Sequence, residues 1–245
     1  MQVFRHLHDL RNYRTKLRRE GQTLGFVPTM GALHQGHLAL VKRALSENNA
    51  SIVTIFVNPT QFNNAEDLEK YPRREVEDLR LLEGIGNSIV FMPSVEEVYG
   101  TQVNSDPFDL HGLDRGMEGD HRPGHFQGVA TIVKRFFEMI EPERAYFGEK
   151  DYQQLRIVQQ VAVDYQLPVE VIGCETERYP SGLAMSSRNY RLSEQGLQAA
   201  VIIYEQMQYA IHHHKNYSPA ELSAAIEAAF AKSSLELEYV SFTDA

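Results

Sequence analysis

Short apolar runs alternate with longer amphipathic stretches through the first two-thirds of the chain, and few folds accept that alternation. The run at residues 51–57, SIVTIFV, is nearly all apolar. A strand needs that composition when helices cover both faces of its sheet. Further strands are expected at residues 24–28, 88–92, 145–147 and 169–173. Helices are expected at 36–47, 68–83, 125–140 and 153–165, the third with Val129, Ile132, Val133, Phe136 and Phe137 on one face. The alternation predicts an α/β fold, a doubly wound parallel sheet with right-handed crossovers. An N-terminal amphipathic helix is expected to set Leu7, Leu10, Tyr13 and Leu17 beneath a wet side formed by the Arg/Lys run from Arg5 to Arg19.

The pattern changes after Cys174. A polar loop, 175–189, leads to helices at about 193–213 and 218–232, and residues 235–242 read as one strand. This predicts a small α+β domain over residues 175–245 after a larger one over 1–174. A lone strand needs a neighbour. Residues 104–124 form the longest irregular stretch.

Composition narrows the class. Twenty-four Lys and Arg against 33 Asp and Glu give a net charge of −9, which argues against a general binder of nucleic acid or membrane surfaces. Cys174 is the one cysteine and can form neither an internal disulfide nor a Cys-based zinc site. No secretory signal pattern and no membrane-spanning apolar run is present, so a cytoplasmic protein is expected.

The most specific chemical signal is PTMGALHQGH, residues 28–37, where the first strand gives way to a helix. His34 and His37 are three apart and share a face there. Two imidazoles beside free backbone N–H groups at a helix N-terminus make a phosphate site. Two other readings stand beside it: a packed histidine pair and a His-x-x-His metal site, for which no nearby Cys, Asp or Glu completes the set. His212, His213 and His214 are splayed by about 100° per residue and cannot share one metal. Cys174 reads as a small hydrophobe.

The His-x-Gly-His motif after a first strand resembles the nucleotidyltransferase superfamily. FVNPTQF (56–62), YPR (71–73), RPGHFQGVATIV (122–133), GEKDYQQL (148–155) and GLAMSSRN (182–189) then occur in the order of the pantothenate synthetase family. That resemblance implies a Rossmann-like domain with a C-terminal lid, ATP as substrate, Mg²⁺ bridging phosphates, pantoate and β-alanine as partners, and a homodimer. It implies catalytic roles for His34, His37, Lys150 and Arg188. ATP contacts are implied for Met30, Gly31, Ala32 and Leu33, for His34, Gln35, Gly36 and His37, for Gly148, Glu149, Lys150 and Asp151, and for Met185, Ser186, Ser187 and Arg188. Gln61 and Gln154 would hold pantoate, with Asn58 near its reacting end; neutral amides suit the hydroxyls and carboxylate of a small acid. Arg122 and His125 could line the same cleft. Two departures stand out. RYPSG, residues 178–182, inserts Tyr179 and Pro180 before the serine loop, where Pro180 should stiffen a hinge. The family also continues past the strand that LEYVSFTDA begins, so the expectation is either a shortened lid or a chain that has lost its end.

Overall fold

The computed structural model describes residues 1–243, which fall into two compact units, Met1–Thr176 and Glu177–Ala245. In the first, β1 (Gln2–Phe4), β2 (Leu24–Thr29), β3 (Ala50–Ile55), β4 (Ile89–Phe91), β5 (Arg144–Gly148) and β6 (Glu170–Cys174) form one parallel sheet. Its order is β1-β4-β3-β2-β5-β6.

Successive residues of one strand serve opposite faces, and the core follows that period. Phe26 of β2 joins Phe91, Phe136, Phe137 and Ile140 in one layer. Its neighbour Val27 joins Val53, Val90, Leu38, Val41 and Leu82 in the other. The first layer is supplied by α1 (Leu7–Arg19), α7 (His125–Ile140) and α8 (Tyr152–Asp164). The second comes from α2 (Gln35–Glu47) and α4 (Glu75–Gly84).

From β2 the chain builds outward to β3 and β4, then returns to place β5 and β6 on the other side. The strand order therefore reverses between β2 and β5, and the carboxyl ends of those strands flank the crevice where open α/β sheets bind ligands.

Several expectations change. The helix expected over 68–83 is two, α3 (Ala65–Glu69) and α4, because Tyr71-Pro72 interrupts it; the residue before proline is driven out of the helical region. Short helices α5 (Val95–Tyr99) and α6 (Met117–His121) were not expected, and α6 lies within the stretch read as irregular. On α1, Arg14 is buried rather than wet: it donates to the Glu141 carbonyl at 2.9 Å and pairs with Glu143 at 2.5 Å.

In the second unit, α9 (Glu194–Ala199) and α10 (Val201–His213) replace the single helix expected over 193–213, and α11 (Pro219–Phe230) follows. A capping box between Ser218 and Glu221 starts α11. The strand expected at 235–242 is not formed. Leu235, Leu237 and Val240 instead pack beside Ala210, Ile226 and Phe230, so a helical surface takes the place of a strand neighbour. Among the described residues this unit's sole β pairing is the antiparallel bridge between Arg178 and Ala184.

Candidate active site

The loop leaving β2 is built from the backbone upward. Thr29 ends the strand with its hydroxyl on the Thr54 carbonyl at 2.7 Å and accepts the Gly31 N–H at 3.2 Å. Gly31 and Ala32 take φ of +81° and +50°, the second an uncommon conformation for a residue with a Cβ. What holds it is Asp78 of α4, 1% exposed, whose carboxylate accepts Ala32 N–H at 2.9 Å and Leu33 N–H at 2.7 Å. Burial pushes the Asp78 carboxyl above its ordinary value, against those two donors.

His34 caps α2. Its Nδ1 accepts Gly36 N–H at 3.1 Å, and His37 Nδ1 accepts His34 N–H at 3.3 Å. Part of the expected donor set is therefore engaged: the Ala32 and Leu33 amides go to Asp78, and the His34 and Gly36 amides at the start of α2 go to the imidazoles. The recognition capacity moves to the rings. A nitrogen that accepts carries no proton, so each ring bears its proton on Nε2 and presents an Nε2–H donor. The rings lie tilted by 41° to each other with centroids 4.0 Å apart.

Lys150 follows β5, on the other flank of the crevice. Burial first, then the Lys150 charge, lowers His34 to about 4. Burial, His34 and Lys150 lower His37 to about 3. Both rings are neutral donors at pH 7. The Lys150 ammonium meets Asp151 at 2.7 Å and keeps 37% of its side-chain surface in solvent.

After β3, residues 59–61 make a single 3₁₀ turn carrying Gln61, whose Nε2 lies 3.2 Å from Met30 Sδ. Asn58, 1% exposed, donates through Nδ2 to Gln61 Oε1 at 3.0 Å and to the Gly128 carbonyl at 3.1 Å. His125 Nδ1 donates to the Gln61 carbonyl at 2.8 Å. His34, Lys150 and Gln61 thus leave the carboxyl ends of three neighbouring strands, β2, β5 and β3.

In the second unit Tyr179 opens a tight turn. Its carbonyl accepts Gly182 N–H at 2.8 Å, and its N–H donates to the Leu183 carbonyl at 2.9 Å. Pro180 occupies the position a turn favours for its fixed φ, and Gly182 takes φ +88°. Next along the chain, Ser186 accepts Arg188 N–H at 3.3 Å and caps a 3₁₀ turn over Ser187–Arg191. Ser187 is buried and Arg188 exposed.

Residues 2–245 match the family described as pantoate-beta-alanine ligase. A pantothenate synthetase of Christiangramia forsetii is 48% identical over 246 residues, covering 100% of this chain and 87% of its own. The chain belongs to the pantoate–β-alanine ligase family. Another family member, from Bacteroides thetaiotaomicron, is 45% identical, with 100% of this chain and 86% of its own covered. A crystal structure of the Thermus thermophilus pantothenate synthetase superposes with a TM-score of 0.85 at 43% identity, over 94% of this chain and 82% of its own. The Francisella tularensis pantoate–β-alanine ligase, crystallised with βγ-ATP and β-alanine, has a TM-score of 0.81 at 37% identity, over 93% and 85%.

For a ligase of this family, three residues were missed in the sequence. Asp78 was legible: it lies four residues before Leu82 on the buried stripe of α4, and a carboxylate on an apolar stripe needs partners. Tyr99, whose hydroxyl donates to Asn58 Oδ1 at 2.5 Å, carried no such signal. Gln153 is the buried glutamine of GEKDYQQL, and it donates to the carbonyls of Leu113 at 2.9 Å and Gly116 at 3.1 Å. Gln154, half-buried, stands beside it in the first turn of α8. Arg122 pairs with Glu118 at 3.6 Å.

Proposed function

We propose that this chain condenses (R)-pantoate with β-alanine at the expense of ATP, giving pantothenate, AMP and pyrophosphate through an enzyme-bound pantoyl-adenylate. The observation that carries the reading is the pair of neutral imidazoles whose Nδ1 atoms accept backbone N–H groups, so that each keeps an Nε2–H donor, with Lys150 on the other flank of the crevice.

In the first step a pantoate carboxylate oxygen attacks the α-phosphorus of ATP and the bond to pyrophosphate breaks. The nucleophile is already ionised, so the step needs positioning and charge neutralisation, not a base. His34 and His37 donate hydrogen bonds to phosphate oxygens as charge moves onto the leaving group, while Lys150 supplies the full positive charge. Gln61 and Gln154 orient pantoate. Ser186, Ser187 and Arg188 serve the triphosphate: two hydroxyls and a guanidinium suit its oxygens. In the second step the neutral amine of β-alanine attacks the acyl carbon; the C–N bond forms, AMP leaves with the anhydride oxygen, and the amine releases one proton to solvent.

Among the described residues no group of three His, Cys, Asp or Glu side chains could hold a metal ion. Asp78 is committed to the loop and both Nδ1 atoms to backbone donors. The described side chains offer no such three-ligand set, and Mg²⁺ belongs to the reading as the counter-ion MgATP brings with it. A homodimer and a cytoplasmic location belong to the same reading; among the described residues no helix is long and apolar enough to cross a membrane.

Pantoate-dependent exchange of pyrophosphate into ATP tests the first step alone. It should proceed without β-alanine, and AMP should accumulate only when β-alanine is added. His37→Ala and Lys150→Ala should each slow the exchange by about two to four orders of magnitude. Near-wild-type exchange in either variant removes that residue from its role.

A further inference from the structure

The amide of Gln61 has a fixed polarity that can be traced to groups behind it. The Gly128 carbonyl can only accept, so the atom of Asn58 facing it at 3.1 Å must be Nδ2. The other proton on that nitrogen points to the Gln61 amide at 3.0 Å, where only an oxygen can receive it. Gln61 is thereby turned with Oε1 toward Asn58 and Nε2 on the other side, 3.2 Å from Met30 Sδ, which takes one of its two protons. Asn58 Oδ1 then needs donors. Tyr99, at the end of α5, gives its hydroxyl proton to that oxygen at 2.5 Å. Thr60 lies 3.1 Å from the same oxygen and 3.0 Å from the Tyr99 hydroxyl, and can give its single proton to either. Tyr99 is itself fixed: it is 6% exposed, stacks on Phe56 with centroids 6.4 Å apart, and lies under the Arg135 guanidinium at 4.6 Å.

We propose that Tyr99 is a positioning residue for the acid substrate: acting through Asn58, with Thr60 as its second donor, it holds Gln61 as a donor-only amide that selects an acceptor on the substrate, a carboxylate or a hydroxyl oxygen. Tyr99 and Thr60 touch no reacting atom. Their contribution is to keep Gln61 from flipping, since a flipped amide would aim Oε1 at the substrate's own oxygens and lose the hydrogen bond. The inference rests on the reading that the acid is pantoate.

The test compares Tyr99→Phe, Thr60→Val and the double variant in pantoate-dependent ATP–pyrophosphate exchange, alongside thermal midpoints. Losing one orienting hydrogen bond should raise the KM for pantoate about 3- to 10-fold in Tyr99→Phe while the KM for ATP stays within about twofold. Each hydroxyl substitutes in part for the other, so the double variant should exceed the product of the single effects. Substitution of Thr60 alone reads the same split should Tyr99→Phe fail to fold. Parallel changes in both KM values, or a lowered midpoint with the pantoate KM unmoved, overturn the positioning role. Wild-type protein with no pantoate-dependent exchange would overturn the functional reading instead, so the two failures are distinct.

Discussion

A histidine near pH 7 usually sits close to its own titration, but the rings of His34 and His37 have been moved well below it, to about 4 and about 3. Burial removes the water that would solvate an imidazolium, and Lys150 adds a repelling charge. The consequence for stability has a definite sign. An unfolded histidine binds a proton near pH 6.5 and these folded ones do so only near 4 and 3, so the unfolded state holds more protons across that interval. Stability is full above pH 6.5 and falls as pH drops toward those lower values. Thermal midpoints should therefore decline from about pH 7 to about pH 4.5, and the decline should be shallower in His34→Gln and in His37→Gln. Imidazole ¹⁵N shifts should stay those of the Nε2–H tautomer down to about pH 5. A protonation midpoint between about 6 and 7 for either ring would contradict the burial that keeps both rings neutral and their Nδ1 atoms as acceptors.

At the scale of elements, the site depends on how closely α7 approaches the 3₁₀ turn at 59–61. Gly128 makes that approach possible: a Cβ there would lie 2.3 Å from the Thr60 carbonyl oxygen and 2.7 Å from Gln61 Cα. Gly128→Ala must push the turn away from α7, carrying Gln61 with it and breaking the Asn58 contact to the Gly128 carbonyl. A loss of about 1–3 kcal/mol of stability is expected, together with a raised KM for pantoate and a smaller effect on ATP. Unchanged kinetics at full stability would mean that the turn is not rigidly placed. The same elements mark where sequence reading succeeds. The helix at 125–140 was legible to the residue because its apolar stripe is continuous. Gly128, near its start, gave no sign of the backbone it meets, since a close approach depends on a partner distant in sequence. Arg14 was hidden similarly: its partner Glu143 lies 129 residues further along the chain, and a basic run looks the same whether one member is buried or none is.

Over the whole first unit, the alternation of apolar runs was enough to predict the sheet, and the motif order was enough to name the family; what neither contained was the accounting of donors. Free amides at the start of α2 were a fair expectation from a helix terminus, but those of His34 and Gly36 are taken by the imidazoles, and Asp78 arrives from α4, 46 residues beyond Ala32, to take the Ala32 and Leu33 amides of the preceding loop. The sheet also separates stability from chemistry along its length, and β5 puts both on one strand. At its amino end Arg144 donates to Glu170 at 3.1 Å and to the Glu47 carbonyl at 2.9 Å, partly exposed and far along the strand from the crevice. Two residues beyond its carboxyl end, Lys150 pairs with Asp151 alone among the described ion pairs. An exposed pair of the Arg144 kind contributes about 0–1 kcal/mol, so Arg144→Ala should lower the midpoint slightly and leave exchange kinetics within about twofold. Lys150→Ala should do the reverse: stability within about 0.5 kcal/mol of wild type, because little packing is lost, and exchange almost abolished. Equal kinetic damage from the two substitutions would mean that charge anywhere on β5 serves the reaction. Unfolding of Lys150→Ala would make that lysine a structural residue, and the crevice between β2 and β5 would then lack the full positive charge that the first step requires of it.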